Sequence, residues 1–371
     1  MSNYPKPSFG ISQSNFSLFW FGATNQFLSV NDDLGVFFSK AVVQTQSEYQ
    51  EALEGLMGIN PEITGLIQAI SLDNINSLVK NIPVADCKLI QLNDFEVSNL
   101  AIGQHNVSVY YDSKTLQTLF EPPFAYSKQK FSKSNKELII TQKDNQLSLF
   151  NGKKLVYTTP KDKFFVLQAQ FVNQLTQYYH SIDNPRWLCS FHGCALQKNN
   201  KTFLILGDSG AGKSTLSSLL SLSDYRFIAD DLVLMGHDFK IYDNPAAVSV
   251  KENAWPIVER YFKEFNNIKT SEKTKGKTKM KFLPLHSLQN NTPQSFHLDY
   301  LVWVNYSTDQ INRLSPLDKQ QALSRLIPDT WINPELTSAK AFANWAIKVK
   351  TYHLDYHDFY TAKKLLDAQL H

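Results

Sequence analysis

The chain has 371 residues, which allows two or three domains at ~100–200 residues each. Hydrophobic residues make up 43% and charged residues 19%, so it can build sizeable cores and is not a disordered tail. Lysine plus arginine number 37 against 34 acidic residues, and a net charge of +3 is too balanced for a dedicated nucleic-acid binder.

The cysteines Cys87, Cys189 and Cys194 form neither a disulfide framework nor a Cys-x-x-Cys pair, so a reducing, cytoplasmic setting is expected. The stretch from Met1 to Pro7 is polar and broken by prolines, with no basic stub ahead of an apolar core, so no secretory signal is expected. No run approaches the ~18–20 apolar residues of a membrane helix, and no internal repeat or long low-complexity tract occurs.

In chain order, Trp20-Phe21 and Val36-Phe37-Phe38 read as short strands or core pieces. Ser47 to Met57 has helical spacing, with Tyr49, Leu53 and Leu56 on one face, and Asn60-Pro61 opens a second helix-like stretch with Ile63, Leu66, Ile67 and Ile70. Residues 1–98 thus read as an α+β module of unknown role. Strands are predicted at Val107–Tyr111, Glu137–Ile140, Leu147–Phe150 and Lys154–Thr158, with turns at Lys143–Gln146 and Asn151-Gly152, as an antiparallel meander. A helix over Phe165–Tyr179, stopped at Asp183-Asn184-Pro185, closes a 99–185 segment leading into a third domain, 186–371.

In that last segment, Ser190–Gln197 and Thr202–Leu206 flank a hairpin at Lys198–Lys201. Phe203-Leu204-Ile205-Leu206 is apolar on both faces and should be central. A helix follows Lys213, with Leu216, Leu219 and Leu220 on one face and a stop at Ser223-Asp224. Phe227-Ile228-Ala229 is a strand running into Asp230-Asp231. Ser315-Pro316 predicts a helix start running through Ile327, and the chain ends with a strand at Tyr352–Tyr356 and a helix from about Asp358.

Gly207-Asp208-Ser209-Gly210-Ala211-Gly212-Lys213-Ser214 fits G-x-x-x-x-G-K-[ST] at every defined position, between a predicted buried strand and a predicted helix. The glycines let backbone N–H groups turn around phosphate oxygens with no Cβ in the way, and the helix N-terminus adds partial positive charge. Lys213 can reach the β- and γ-phosphates, and the Ser214 hydroxyl can sit on Mg²⁺; Thr215 completes the nucleotide-binding stretch. A carboxylate pair at a strand end, Asp230-Asp231, can hold Mg²⁺ or orient a nucleophile. Taken alone, such a pair also opens turns or caps helices. His192, between Phe191 and Gly193, is by composition alone more often a satisfied core group than a functional one.

Phe191-His192-Gly193, the hairpin, Gly207–Thr215 and Tyr225-Arg226-Phe227-Ile228-Ala229-Asp230-Asp231 follow one another in an order and spacing that resemble the HPr kinase/phosphorylase superfamily. The match spans about Phe191 to Val233. The ending around Thr351–Tyr356, and Gly276-Lys277 running into Phe282-Leu283-Pro284-Leu285, are similar to its looser members. The resemblance implies an α/β P-loop kinase domain with a core like that of phosphoenolpyruvate carboxykinase. It implies an ATP-dependent kinase acting on a serine, with Lys213 on phosphate, Ser214 on Mg²⁺, His192 in the active site and Asp231 as proton acceptor; Asp230 is the second candidate metal residue. Arg260, Arg313 and Arg325 are the candidates for the family's catalytic arginine. The family's Glu-Ile-Arg-Gly-Leu-Gly-type segment is not found between Val233 and Leu285, which argues against the reverse phosphorylase reaction and against HPr itself as substrate.

Between Lys263 and Lys281 lie seven lysines and two glutamates. The expectation is a solvated, mobile excursion, and the sharper alternative is a lid or docking loop over phosphates or an acidic peptide. With aromatics nearly absent, no base-stacking nucleic-acid surface is expected there. The function expected is serine phosphorylation of a protein or peptide using ATP and Mg²⁺, in the cytoplasm, with no nucleic-acid or membrane partner and a homo-oligomer compatible with it. The alternatives are a kinase for a small metabolite such as free serine, and a non-catalytic ATP-dependent binding or sensing module.

Overall fold

A computed structural model describes residues 4–59, 65, 67, 92, 94–183, 187–272, 279–289, 292–309 and 311–369. The protein is mixed α/β with several sheets. It forms two compact units, residues 1–82 with 317–349, and residues 83–316 with 350–371. The expected segments 1–98, 99–185 and 186–371 ran consecutively. Instead, 317–349 joins the N-terminal residues, and 99–185 shares a unit with the loop-bearing residues. The chain can leave and return here because Arg313–Pro316 and Lys350–Tyr356 are antiparallel neighbours, with Pro316 opposite Tyr352.

In the first unit, Phe9–Ser12, Ser17–Phe21 and Gln26–Val30 form an antiparallel sheet. Val36-Phe37-Phe38 belongs not to a strand but to the helix Asp32–Val43, whose start is fixed by the Asn31 side chain accepting from the Leu34 N–H. The helix Gln46–Ile59 opens with a reciprocal cap: Glu48 accepts from the Thr45 N–H, and the Thr45 hydroxyl accepts from the Glu48 N–H. Its Tyr49 and Leu53 are buried with Phe19, Phe21 and Phe38. The helix-like stretch from Asn60 lies outside the described residues apart from positions 65 and 67, both helical. The expected helix start at Ser315-Pro316 is displaced. Those residues end an edge strand, where a proline's missing N–H costs nothing, and the helix is Lys319–Leu326, capped by Asp318.

In the second unit, a five-stranded sheet runs Glu96–Ile102, His105–Tyr111, Lys136–Lys143, Gln146–Asn151, Lys154–Pro160. It is not a pure antiparallel meander. His105–Tyr111 and Lys136–Lys143 are parallel, because the helix Lys114–Phe120 and the turn Pro122–Ser127 carry the chain back between them. The helix Phe164–Tyr179 covers this sheet through Leu167, Phe171 and Leu175.

A six-stranded sheet carries the loop, in the order Arg226–Asp230, Cys194–Lys198, Lys201–Leu206, Tyr300–Tyr306, Lys350–Tyr356, Arg313–Pro316. Lys201–Leu206 is central and parallel to Tyr300–Tyr306. The strand expected over Ser190–Gln197 breaks at His192-Gly193. Trp187–Phe191 pairs with Val233–Gly236 in another sheet, while Cys194–Lys198 lies between Lys201–Leu206 and Arg226–Asp230. A Cβ at Gly193 would meet the Ile205 carbonyl oxygen at 2.7 Å, so the crossing needs glycine. Asn199 and Asn200 both take the left-handed conformation a tight hairpin demands.

The flanks of the lysine-rich stretch are ordered rather than a free excursion. Thr270–Glu272 pairs with Lys279–Leu283. Lys281 is buried, its ammonium donating to the Phe265 and Asn266 carbonyls and lying over the Trp255 and Phe265 rings. Residues 273–278 lie outside the described residues. No helix among the described residues is long and apolar enough to cross a membrane.

Candidate active site

The apolar strand Lys201–Leu206 delivers the chain to Gly207, and the helix Lys213–Ser223 carries it away, its Leu216, Leu219 and Leu220 buried against Phe203 and Ile205. Between them Gly207, Gly210 and Gly212 have φ of +146°, +94° and +89°, conformations that L side chains rarely adopt. A Cβ at Gly207 would meet the Val304 carbonyl oxygen at 2.7 Å, so the loop backbone rests on the parallel neighbour strand. Gly212 is the N-cap and brings no side chain to the helix's first N–H groups, which leaves them open to an anion. The Lys213 ammonium lies across the loop, donating to the carbonyls of Gly207 at 2.6 Å and Asp208 at 3.1 Å. Asp208, Ser209 and Gly210 are exposed, and Ala211 to Thr215 half-buried.

Asp230 ends its strand opposite Cys194. One oxygen of its buried carboxyl accepts from the Ser214 hydroxyl at 3.2 Å and from the Cys194 thiol. Burial, then the adjacent Asp231 charge, pushes this carboxyl up to about 6. Burial, followed by the Asp230 charge, raises the Cys194 thiol well above its ordinary value, so it stays protonated and serves as a donor.

Asp231 turns the other way. The strand stops at Asp230, and Asp231 takes a left-handed φ of +69°, a conformation costing roughly 1–2 kcal/mol for an L residue. Buried Asn244 holds the turn from beneath, its N–H donating to the Ile228 carbonyl and its amide to the Leu232 carbonyl. The Asp231 carboxylate then meets His192 Nδ1 at 3.1 Å, the two side chains 80% and 51% exposed. The hydrogen bond with Asp231 raises the imidazole above its ordinary value, against an opposing effect of burial.

The structure therefore brings His192, Lys213, Ser214, Asp230 and Asp231 around one loop. Arg260 lies in the last turn of the helix Trp255–Tyr261, Arg313 lies on an edge strand opposite Asp355, and Arg325 belongs to the first unit. Among the described residues none of the three makes a hydrogen bond or ion pair with the loop. Sequence reasoning missed Cys194 as a partner of Asp230, and missed Tyr356, whose hydroxyl donates to the Gly212 carbonyl at 3.3 Å. No spacing rule ties these residues to the motif; only strand adjacency does.

No protein-family model matches the chain, and no curated protein matches it. Among solved structures, the HPr(Ser) kinase/phosphatase from Coxiella burnetii matches over 48% of this chain and 95% of that chain, at 10% identity and a TM-score of 0.24.

Proposed function

We propose that the chain is an ATP- and Mg²⁺-dependent serine kinase that phosphorylates a protein or peptide. The observation supporting it is that one glycine-rich loop faces two adjacent carboxylates in different environments, one buried on Ser214 and one exposed on His192. Phosphoryl transfer needs charge neutralised on the phosphate and a base near the incoming hydroxyl.

The loop's N–H groups and Lys213 bind the phosphates, the ammonium leaving the Gly207 and Asp208 carbonyls to do so. Ser214 and Asp230 would hold magnesium: a buried carboxyl whose side-chain partners are a hydroxyl and a thiol, both neutral, has room for a cation's charge. Among the described residues no three His, Cys, Asp or Glu side chains form a metal cage, so the ion's remaining partners would be phosphate oxygens and water. When bound, magnesium offsets charge on the phosphate oxygens. Asp231, exposed and reachable, accepts the serine hydroxyl proton, and His192 orients it.

The test is nucleotide titration and single-turnover transfer from labelled ATP, with products resolved into proteins and small molecules. Lys213→Ala should weaken ATP binding by roughly 10- to 100-fold, the worth of one charge-assisted contact. Asp231→Asn should bind Mg-ATP nearly normally yet lose ~10²-fold or more in transfer. Label on a small molecule alone would replace the protein substrate with a metabolite. Unchanged transfer in Asp231→Asn would remove it as the base.

A further inference from the structure

The candidate site is lopsided. Seen along the six-stranded sheet, Asp230, Asp231 and His192 lie on one side of the loop strand, where Ser214 also points. That side is where the reacting phosphate belongs under the reading above. On the other side the next two strands, Tyr300–Tyr306 and Lys350–Tyr356, run parallel and deliver a tyrosine each to the same edge, Tyr306 opposite Tyr356.

These two rings meet edge to face, with centroids 5.4 Å apart and planes at 61°. Tyr356 is buried and its hydroxyl reaches the Gly212 carbonyl. A Cβ at Gly212 would run into that hydroxyl and would lie 3.2 Å from Tyr306 Cβ, so the loop seats directly on the pair. Tyr306 differs from its strand-mates. Val302 and Val304 are buried, whereas Tyr306 is 48% exposed. A large ring held rigidly from behind, open in front and touching a phosphate loop on the side away from the carboxylates has the attributes of a stacking surface.

We propose that Tyr306, braced by Tyr356, is the platform on which the nucleobase of the bound triphosphate stacks. The inference rests on the nucleotide reading of the loop and adds the direction in which the nucleotide lies: terminal phosphate toward Asp231, base toward Tyr306. Stacking needs only a π-face, so this side supplies affinity for a nucleotide over bare phosphate chains.

The test compares ATP with inorganic tripolyphosphate, both with magnesium, by calorimetry on the full chain. Tyr306→Leu keeps an apolar side chain against Tyr356 and removes the ring. It should raise the ATP dissociation constant about 10- to 100-fold and leave that for tripolyphosphate within about 3-fold. Tyr306→Trp should retain ATP affinity. Lys213→Ala, by contrast, should weaken both ligands. Unchanged ATP binding in Tyr306→Leu, or equal losses for the two ligands, would overturn the platform while leaving the loop's phosphate role standing. A wild-type chain that binds neither ligand would overturn the loop assignment and the platform with it.

Discussion

His192 and Asp231 both face solvent, yet the carboxylate bears on the charge of the imidazole. The hydrogen bond raises the imidazole, so whatever stability the pair supplies is present below the ordinary histidine value near ~6.5 and is lost as pH rises through the folded value. At this exposure, solvent screens the pair to within about 1 kcal/mol. The effect to measure is therefore titration rather than melting. In wild type the His192 ring signals should titrate above the ordinary histidine range by NMR, and in Asp231→Asn they should titrate lower. A midpoint that does not move would break the link. One residue earlier, burial rather than a hydrogen bond governs: Asp230 is pushed up to about 6 while Asp231 stays in water. Two identical side chains differ because the backbone reverses between them.

At the scale of elements, Asp243 follows the strand Lys240–Tyr242 and gathers pieces from across its unit. It is 0% exposed. Its carboxylate meets His180 at 3.0 Å, just past the helix Phe164–Tyr179; His286 of the helix Leu285–Leu288 and Arg226 lie at 3.6 and 3.7 Å. The Gln294 N–H donates to it at 2.9 Å. Burial works to raise this carboxyl, and the hydrogen bonds from His180, His286 and Gln294 outweigh burial and hold it below the ordinary carboxylate range. Its contribution is thus present above ~4 and lost as acid carries the pH down through the folded value. Asp243→Asn should destabilise the fold at neutral pH by about 3–5 kcal/mol, as read by denaturant midpoints, with the gap to wild type narrowing in acid. A loss under about 1 kcal/mol would count against the network. Nothing in the spacing of Arg226, His180, His286 and Asp243 announced it, whereas Gly207 to Ser214 was legible because all its parts are contiguous. The same distinction runs through the fold. The capped helices, the Asn-Asn hairpin and the terminal strand and helix follow from local chemistry. The break at Gly193 depends on the Ile205 carbonyl, and the parallel pair in the five-stranded sheet depends on a crossover, so neither left a local trace.

At the scale of the whole molecule, residues 317–349 leave one sheet edge and return to it. Because Arg313–Pro316 and Lys350–Tyr356 are already antiparallel neighbours, a tight turn can replace the excursion. A chain of residues 83–316 joined to 350–371 by a Gly-Asn linker of about four residues should unfold in one cooperative transition by circular dichroism. A molten species that binds hydrophobic dye would show instead that this unit needs the other. The sheet also has a consequence for how the protein comes off the ribosome. The Thr202 N–H at the start of the loop strand donates to Asp299, 97 residues later, and Asn305 pairs with Asp355 a further 50 along. The glycine-rich loop is thus synthesised long before the strands that seat it, and pairing of such separation is slow to form. Nascent chains stalled short of Tyr306 would carry every letter of the motif with no shelf beneath it, so under the nucleotide reading the competence to bind waits for Tyr300–Tyr306 and Lys350–Tyr356 to be made.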